Sequence, residues 1–245
     1  MHLFLTSSPC DDHVPEGACL PCILDRSNSF VDNLLARFVP GQSLVVIAAD
    51  PLNFGLNDEM ADTFTRAFAF HGMEFTHTVI IDRRTEKLLD EALYGAGVVI
   101  LGGGHVPTQH AFFERIGLRE RLAGFDGIVM GISAGTMNCC DPVYAQPEER
   151  GETIDPNYRR FLRGLGLTDV MVLPHYQMVK DNWLDGQRLF DDITLGDSLG
   201  RVFYALVDGS YVLVEDGHRT LYGEAYRIAD GELHQITQKG DVLAL

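Results

Sequence analysis

The sequence predicts an α/β fold, a three-layer sandwich in which helices cover both faces of a mainly parallel sheet, with a C-terminal antiparallel β-meander. Two observations predict it. Short apolar runs such as Ser43 to Ala49 alternate with amphipathic segments such as Asp58 to His71, and strands that are apolar along their whole length are typical of a parallel sheet buried on both faces. From Val202 onward, strand-like segments are joined by Asp-Gly dipeptides, which tight hairpins prefer.

The individual elements follow from hydrophobic periodicity and from breaker residues. Strands are predicted at His2 to Ser7, Ser43 to Ala49, Phe75 to Ile81, Val98 to Leu101, Gly127 to Met130 and Val170 to Leu173. Helices are predicted at Ser29 to Phe38, Asp58 to His71, Arg84 to Tyr94, Gln109 to Arg121 and Trp183 to Ile193, with a short helical turn at Asn157 to Leu162. The meander comprises Tyr204 to Val207, Tyr211 to Val214, Thr220 to Tyr226 and Leu233 to Ile236. No repeat or linker interrupts the chain, so residues 1–245 are interpreted as one domain.

Composition excludes several classes of partner. The chain has 46% apolar and 22% charged residues and a formal net charge of −16, so nucleic acid and anionic membranes would repel it. The opening apolar run is too short for a signal peptide, and no stretch is long enough to span a membrane. These features predict a cytoplasmic protein, either a monomer or a homodimer.

Five cysteines fit a reducing compartment. Cys10, Cys19 and Cys22 form a C-x8-C-x2-C pattern with His13 nearby, inside a long polar loop from Pro9 to Asn28. The pattern is compatible with a metal or redox site, but one CxxC pair without a second favours small apolar residues in a loop.

The most informative stretch is Gly131-Ile132-Ser133-Ala134-Gly135. It follows an apolar strand and precedes a segment that can open a helix, so it predicts a strand, a sharp turn and a helix with Ser133 at the apex. In a nucleophile elbow of this kind the serine oxygen projects above the sheet edge, and the following amide points at a developing oxyanion. A structural turn is the alternative interpretation.

A serine nucleophile needs a base, and the base needs a carboxylate. His175 ends a strand and should emerge at the same sheet edge as Ser133, although a histidine in an ordinary strand-end turn would look the same. His105 is the rival base. For the carboxylate, the acidic loop between Ser133 and His175 offers three candidates, Glu148, Glu149 and Glu152.

Three consecutive glycines, Gly102 to Gly104, end another predicted strand. They lack the G-x-G-x-x-G spacing of a dinucleotide-binding turn. They fit either a plain strand-to-helix turn or an oxyanion hole, because glycine lets backbone amides approach a substrate closely. Carboxyl ends of parallel strands share one sheet edge, so we expect these glycines to lie beside Ser133.

The sequence resembles the S51 serine peptidases, which include dipeptidase E and cyanophycinase. The resemblance is carried by Val99-Ile100-Leu101-Gly102-Gly103-Gly104, Gly131-Ile132-Ser133-Ala134-Gly135, Ile154-Asp155-Pro156-Asn157, Leu173-Pro174-His175-Tyr176 and Asp208-Gly209-Ser210-Tyr211. It implies a fold like the class I glutamine amidotransferases, with a flavodoxin-like sheet.

The resemblance also implies a set of site residues. Ser133 would be the nucleophile, His175 the base, and the amides of Gly104 and Ala134 the oxyanion hole. The acid in this family is Asp or Glu, and Glu148 is the favoured candidate, with Glu149 and Glu152 as alternatives. Gly103, His105 and Arg188 are candidate substrate-binding residues. No metal or organic cofactor is implied.

One departure concerns the substrate. Dipeptidase E looks to hold a substrate aspartate with an arginine that follows its histidine, and that position falls at or near Asp185 here. Arg188 is close but out of register. The sequence therefore predicts a serine peptidase acting on dipeptides or short peptides through a Ser-His-Glu triad, without predicting a preference for aspartate.

Three other functions compete with this one. An esterase of the α/β-hydrolase type shares the elbow, but its histidine usually lies near the carboxyl terminus. A glutamine amidotransferase needs a cysteine at the elbow apex. A catalytically silent protein that binds a small peptide would explain the uncertain acid and the displaced arginine.

Overall fold

The structure is a computed structural model that describes residues 1–11, 13–15 and 20–245. Asp12 and residues 16–19 lie outside this description, and with them Cys19 of the cysteine pattern.

Short strands dominate the described chain, and the helices fall mainly in its first half. The strands are β1 (His2–Thr6), β2 (Cys10–Asp11), β3 (Ile23–Leu24), β4 (Ser43–Ile47), β5 (Thr78–Ile81), β6 (Ala96–Leu101), β7 (Ile128–Ile132), β8 (Val143–Tyr144), β9 (Phe161–Leu162), β10 (Met171–Leu173), β11 (Trp183–Leu184), β12 (Gln187–Arg188), β13 (Val202–Leu206), β14 (Tyr211–Glu215), β15 (His218–Tyr222), β16 (Ala225–Ala229), β17 (Glu232–Thr237) and β18 (Val242–Ala244). The α-helices are α1 (Phe30–Leu35), α2 (Phe54–Phe70), α3 (Leu89–Tyr94), α4 (Val106–Arg115), α5 (Leu118–Leu122), α6 (Ala134–Asn138), α7 (Tyr176–Val179) and α8 (Leu195–Asp197). Two 3-10 turns, Ser27–Ser29 and Glu86–Leu88, and a π-helix, Leu189–Thr194, complete the set.

A mixed, mostly parallel sheet forms the centre of the molecule. Its eight strands follow the order β18-β15-β14-β1-β7-β6-β4-β5. The five strands from β1 to β5 in that order are parallel, and β14, β15 and β18 extend the sheet antiparallel beyond β1. The predicted α/β class with a large, mainly parallel sheet is therefore confirmed, and the closer likeness to class I glutamine amidotransferases stays a prediction.

Helices cover both faces of this sheet because alternate side chains of each parallel strand are buried on opposite sides. Leu44 and Val46 of β4 pack on one face with residues of α1 and α2, whereas Val45 and Ile47 pack on the other face with residues of α3, α4 and α5. All five residues of β4 are buried. The continuous apolar runs in the sequence thus have their physical explanation in double-sided burial.

The C-terminal strands divide between two sheets, which corrects the predicted single meander. Strands β14 and β15 join the central sheet, whereas β13, β16 and β17 form a second sheet with β10, in the order β10-β13-β16-β17. Strand β13 runs parallel to β10 and antiparallel to β16. Asp-Gly dipeptides specify a tight reversal but not which sheet the returning strand joins, so the pattern could not reveal the division.

Three predicted helices also differ from the structure. The segment Trp183 to Ile193 is not one helix: Asp185 and Gly186, at φ of 50° and 84°, turn a small hairpin between β11 and β12 before the π-helix. The helical turn predicted at Asn157 to Leu162 contains strand β9. The helix predicted from Gln109 to Arg121 breaks at Gly117, whose φ is 55°, and so forms α4 and α5.

The amino-terminal loop contains a short hairpin, β2 paired with β3. Its ends bring the sulfur atoms of Cys10 and Cys22 to 3.1 Å from each other. A metal or redox role for the cysteine pattern stays a prediction, since Cys19 is outside the described residues. No helix in the described part of the chain is both long and apolar enough to cross a membrane.

Candidate active site

The segments that follow two adjacent parallel strands of the central sheet, β6 and β7, form the first part of the site. Strand β7 lies between β1 and β6, and the register pairs Leu101 with Gly131, so the segments that follow β6 and β7 leave the sheet side by side. A Cβ atom added to Gly103 would lie 3.4 Å from Cβ of Ser133. The expectation that the three glycines lie beside Ser133 is confirmed.

The chain turns sharply at Ser133. Its φ of 50° and ψ of −113° are rare for a residue with a side chain, and such a conformation costs on the order of 1–3 kcal/mol. The flanking glycines make the turn possible: a Cβ atom at Gly131 would lie 2.7 Å from the backbone nitrogen of Thr136, and one at Gly135 would collide with the carbonyl of Leu101. Strand β7, the turn and helix α6 therefore pack more closely than any larger residue would permit.

Two buried threonines anchor this turn to β1. The Thr6 hydroxyl donates to the carbonyl of Gly131 at 2.7 Å, and the Thr136 hydroxyl donates to the carbonyl of Thr6 at 2.7 Å. The amide of Ser133 also donates to the carbonyl of Thr6, at 3.3 Å. These bonds oppose relaxation of the strained backbone, and they place Ser133 directly next to the end of β1.

The second sheet supplies His175. The residue follows β10 after Pro174 and is itself in a left-handed conformation, with φ of 57°. Its backbone amide donates to the hydroxyl of Ser7 at 2.7 Å, and its Nδ1 lies 2.7 Å from Oδ1 of Asp208. The ring is therefore oriented from one side by a carboxylate, and its other nitrogen, Nε2, is left for the cleft.

Asp208 follows β13, the parallel neighbour of β10, so both residues emerge at the same edge of the second sheet. Its carboxylate also accepts hydrogen bonds from Ser7 Oγ at 2.7 Å and from Gln177 Nε2 at 2.6 Å. Burial alone would raise the pKa of Asp208, but the hydrogen bonds from His175, Ser7 and Gln177 outweigh it and hold the pKa below its ordinary value. Asp208 is consequently a carboxylate under all ordinary conditions.

Ser133 and His175 line one cleft of about 630 Å³. No hydrogen bond within the described structure reaches Ser133 Oγ. Bonds between a nucleophile and its base are often long in substrate-free enzymes and tighten when substrate binds. Gly104 and Ala134 also line the cleft, and their backbone amides donate to no other group of the described chain. Two free amides therefore adjoin the serine.

Comparison with known proteins shows the family of this chain. A family model, described as peptidase family S51, matches residues 3–222. The chain belongs to peptidase family S51. Membership supports a peptidase role, and the sequence resemblance to this family is confirmed. No curated protein matches the chain in sequence.

Solved structures similar to this S51 chain have low sequence identity and a similar fold. One is a peptidase from an acI-B1 Actinobacterium, with a TM-score of 0.64 and 16% identity over 100% of this chain and 96% of the other. Another is a candidate peptidase E protein from Listeria monocytogenes EGD-e, with a TM-score of 0.56 and 16% identity over 96% of this chain and 98% of the other. At this identity the likeness extends to the fold alone.

The carboxylate that contacts His175 in this S51 chain is not the predicted Glu148. Asp208 occupies that position, whereas Glu148 Oε1 accepts from the backbone amide of Val106 at 3.2 Å. The difference has a topological cause: the predicted acids lie in the loop between Ser133 and His175, whereas Asp208 follows β13, the parallel neighbour of β10, farther along the chain. The parallel pairing of β10 and β13 was the missing signal.

Glu152 and Glu149 also lie away from His175. Glu152 accepts from His105 Nε2 at 2.8 Å and from the amides of Glu148 and Glu149. Burial would raise the pKa of Glu152, but those backbone and side-chain hydrogen bonds lower it on balance. Ligand atoms of His105, Glu149 and Glu152 lie within 4.8 Å of one another, which would suffice to hold a cation. Exposed acidic groups commonly approach each other without one, and Glu152 is already satisfied by its partners.

The predicted substrate-binding residues have different positions. Gly103 adjoins Ser133, as described. His105 contacts Thr108 Oγ1 through Nδ1 at 2.7 Å and Glu152 through Nε2, and it is not among the residues that line the cleft. Arg188 forms ion pairs with Asp191 and Asp192 and is not among the residues that line the cleft.

Proposed function

We propose that the protein is a serine peptidase that hydrolyses short peptides through an acyl-enzyme on Ser133, with His175 as the base and Asp208 as the carboxylate of the triad. The observation that carries the proposal is the 2.7 Å contact between His175 Nδ1 and Asp208 Oδ1, beside a cleft that Ser133 and His175 share.

Asp208 determines which ring nitrogen carries the proton. As a carboxylate it can only accept, so Nδ1 of His175 holds the hydrogen and Nε2 presents a lone pair. Nε2 removes the hydroxyl proton as Ser133 Oγ attacks the scissile carbonyl carbon. The imidazolium that forms is stabilised by the adjacent negative charge of Asp208. The lowered pKa of the Asp208 carboxyl keeps it ionised.

The attack places a negative charge on the carbonyl oxygen. The amides of Gly104 and Ala134 are available to donate to it, because neither is used elsewhere in the described chain. His175 then gives its proton to the leaving amine. A water molecule, deprotonated by the same nitrogen, attacks the ester and releases Ser133. These steps require no metal or organic cofactor.

The proposal weakens two of the three alternatives. A catalytically silent binding protein was suggested by the absence of an evident acid, and Asp208 now supplies one. An α/β-hydrolase esterase was suggested by the elbow alone, whereas the matching family is a peptidase family.

The test combines labelling with hydrolysis. A fluorophosphonate should react with Ser133, releasing fluoride, in the wild-type protein and not in Ser133→Ala. A panel of dipeptides, including Asp-Leu and β-aspartyl-arginine, should be cleaved only by the wild type. Equal turnover by Ser133→Ala, or a folded wild-type protein that neither labels nor cleaves, would refute the proposal.

A further inference from the structure

The cleft beside Ser133 has an unusual balance of charge. Its polar lining consists of Ser133, Gln146, Glu148, His175 and Asn182, and no lysine or arginine is among the described residues that line it. The nearest arginine in the sequence after His175 is Arg188, whose guanidinium is held by Asp191 and Asp192. A substrate carboxylate entering this cleft would therefore meet Glu148 and no lysine or arginine of the described lining.

Glu148 is placed to receive a positive charge. It lines the same cleft as Ser133 and His175, and one of its oxygens is positioned by the amide of Val106. Burial raises the pKa of Glu148, with the Val106 bond as the main opposing effect. No positively charged side chain bonds to Glu148 in the described structure. A ligand ammonium would pair with the carboxylate and compensate for the water contacts that burial removes.

The rest of the cleft wall is apolar. Its larger apolar side chains are Val106, Met137, Val179, Trp183, Leu184 and Leu189. Trp183 stands on the β11–β12 hairpin with 67% of its surface exposed, an orientation that leaves its ring available to a ligand. Such a wall favours an aliphatic or aromatic substrate side chain over an acidic one.

The turn of that hairpin is tied to the loop that carries Glu148. Asp185 accepts from the amide of Gly151 at 2.9 Å and from the hydroxyl of Thr153 at 2.9 Å. These bonds fix the position of the β11–β12 hairpin relative to the loop that carries Glu148. A fixed distance between the apolar wall and the Glu148 carboxylate is needed to bind two adjacent substrate groups at once.

We infer that the cleft selects substrates in which a primary ammonium group lies next to an apolar side chain, that Glu148 binds the ammonium, and that acidic substrates are rejected. This specificity rests on the proposed peptidase function. The ammonium comes either from the peptide amino terminus or from a lysine side chain, and the experiment distinguishes these sources.

The experiment measures binding and turnover with matched ligands. Leucinamide, N-acetyl-leucinamide and N-acetyl-lysinamide are titrated into Ser133→Ala by calorimetry, alone and combined with Glu148→Gln or Glu149→Gln. Glu149 is the control because it carries the same charge in the same loop but does not line the cleft. Hydrolysis of Leu-Leu, N-acetyl-Leu-Leu and Asp-Leu is measured with proteins that keep Ser133: the wild type, Glu148→Gln and Glu149→Gln.

Leucinamide should bind, and Glu148→Gln should weaken it roughly ten- to a hundredfold, the range for one hydrogen bond to a charged group. Glu149→Gln should not. In turnover the loss should be in KM, and Asp-Leu should be the poorest substrate. Tighter binding of N-acetyl-lysinamide than of leucinamide would identify a side chain as the source of the ammonium.

Two results would overturn the inference. One is equal binding of leucinamide and N-acetyl-leucinamide, and the other is unchanged leucinamide affinity in Glu148→Gln. Because calorimetry uses a protein without the nucleophile, these results are independent of hydrolysis. A protein that binds leucinamide through Glu148 but cleaves nothing would refute the peptidase proposal and leave the binding inference intact.

Discussion

Replacing Asp208 with asparagine tests the contact on which the proposed mechanism depends. Oδ1 of Asp208 accepts from His175 Nδ1 and from Ser7 Oγ, and Oδ2 accepts from Gln177 Nε2. An asparagine amide has only one oxygen, so at least one of these donors would face an NH2 group. If that donor is His175, the ring must shift its hydrogen to Nε2 and can no longer act as a base.

The size of the effect follows from these bonds. With the amide oxygen toward His175, the ring keeps its orientation but loses a charge-assisted bond, which contributes about 1.5–3 kcal/mol. At about 1.4 kcal/mol per factor of ten, the rate falls at least roughly tenfold. With the NH2 group toward His175, the tautomer is inverted and the loss approaches about 10⁴-fold. We expect Asp208→Asn to fall between these limits.

The second-order rate of fluorophosphonate labelling measures this effect without knowledge of the substrate, because phosphonylation of Ser133 needs the same base. Glu148→Gln is compared in parallel, since it would show the large loss if the sequence-based choice of acid had been right. Far-ultraviolet circular dichroism and urea unfolding confirm that each variant is folded. A labelling rate for Asp208→Asn within about twofold of wild type, or a larger loss in Glu148→Gln than in Asp208→Asn, would refute the assignment of Asp208.

Further predictions concern residues around the site and in the fold. Ser7→Ala should lower the labelling rate roughly tenfold in a folded protein, because the hydroxyl bonds both the His175 amide and Asp208. Arg188→Ala should leave labelling within about twofold of wild type, and a large loss would show that it leaves its ion pairs to reach the substrate. The Arg37 hydrogen bonds lower the pKa of Glu215 to about 2, so their stabilisation is present above the ordinary value of 4.5 and is lost as the pH falls toward 2. Glu215→Gln should therefore lower the free energy of unfolding in urea by roughly 1–2 kcal/mol at neutral pH, and the difference from wild type should shrink as the pH is lowered through that range.

Local chemistry predicted the central sheet well. The apolar runs that form β4, β6 and β7 are buried on both faces. Strands of this kind are apolar along their whole length, so the sequence identifies them directly. The sharp turn at Ser133 was also predictable, because the close packing around Gly131 and Gly135 admits only glycine. In both cases the structure depends on a few residues that are neighbours in the sequence.

Long-range pairing was not predictable in the same way. The sequence places Asp208 in a hairpin turn and in a segment shared with the S51 family, but its partnership with His175 depends on β13 lying parallel to β10. The hairpin at Asp185-Gly186 is a different case, because the same dipeptide signal as in the C-terminal turns is present there, whereas the segment Trp183 to Ile193 around it predicts a helix. Prediction of the acid from sequence would require the strand order of the second sheet.

The position of β1 has a consequence for how the protein forms during synthesis. It is made before both of its neighbours in the sheet, β7 and β14. Until Tyr211–Glu215 leaves the ribosome, one side of β1 presents unsatisfied amides and carbonyls beside an apolar surface, which is a template for aggregation. Nascent chains that stall before Tyr211 therefore have an open sheet edge at β1, the strand that anchors the turn at Ser133. Such fragments should depend on chaperones.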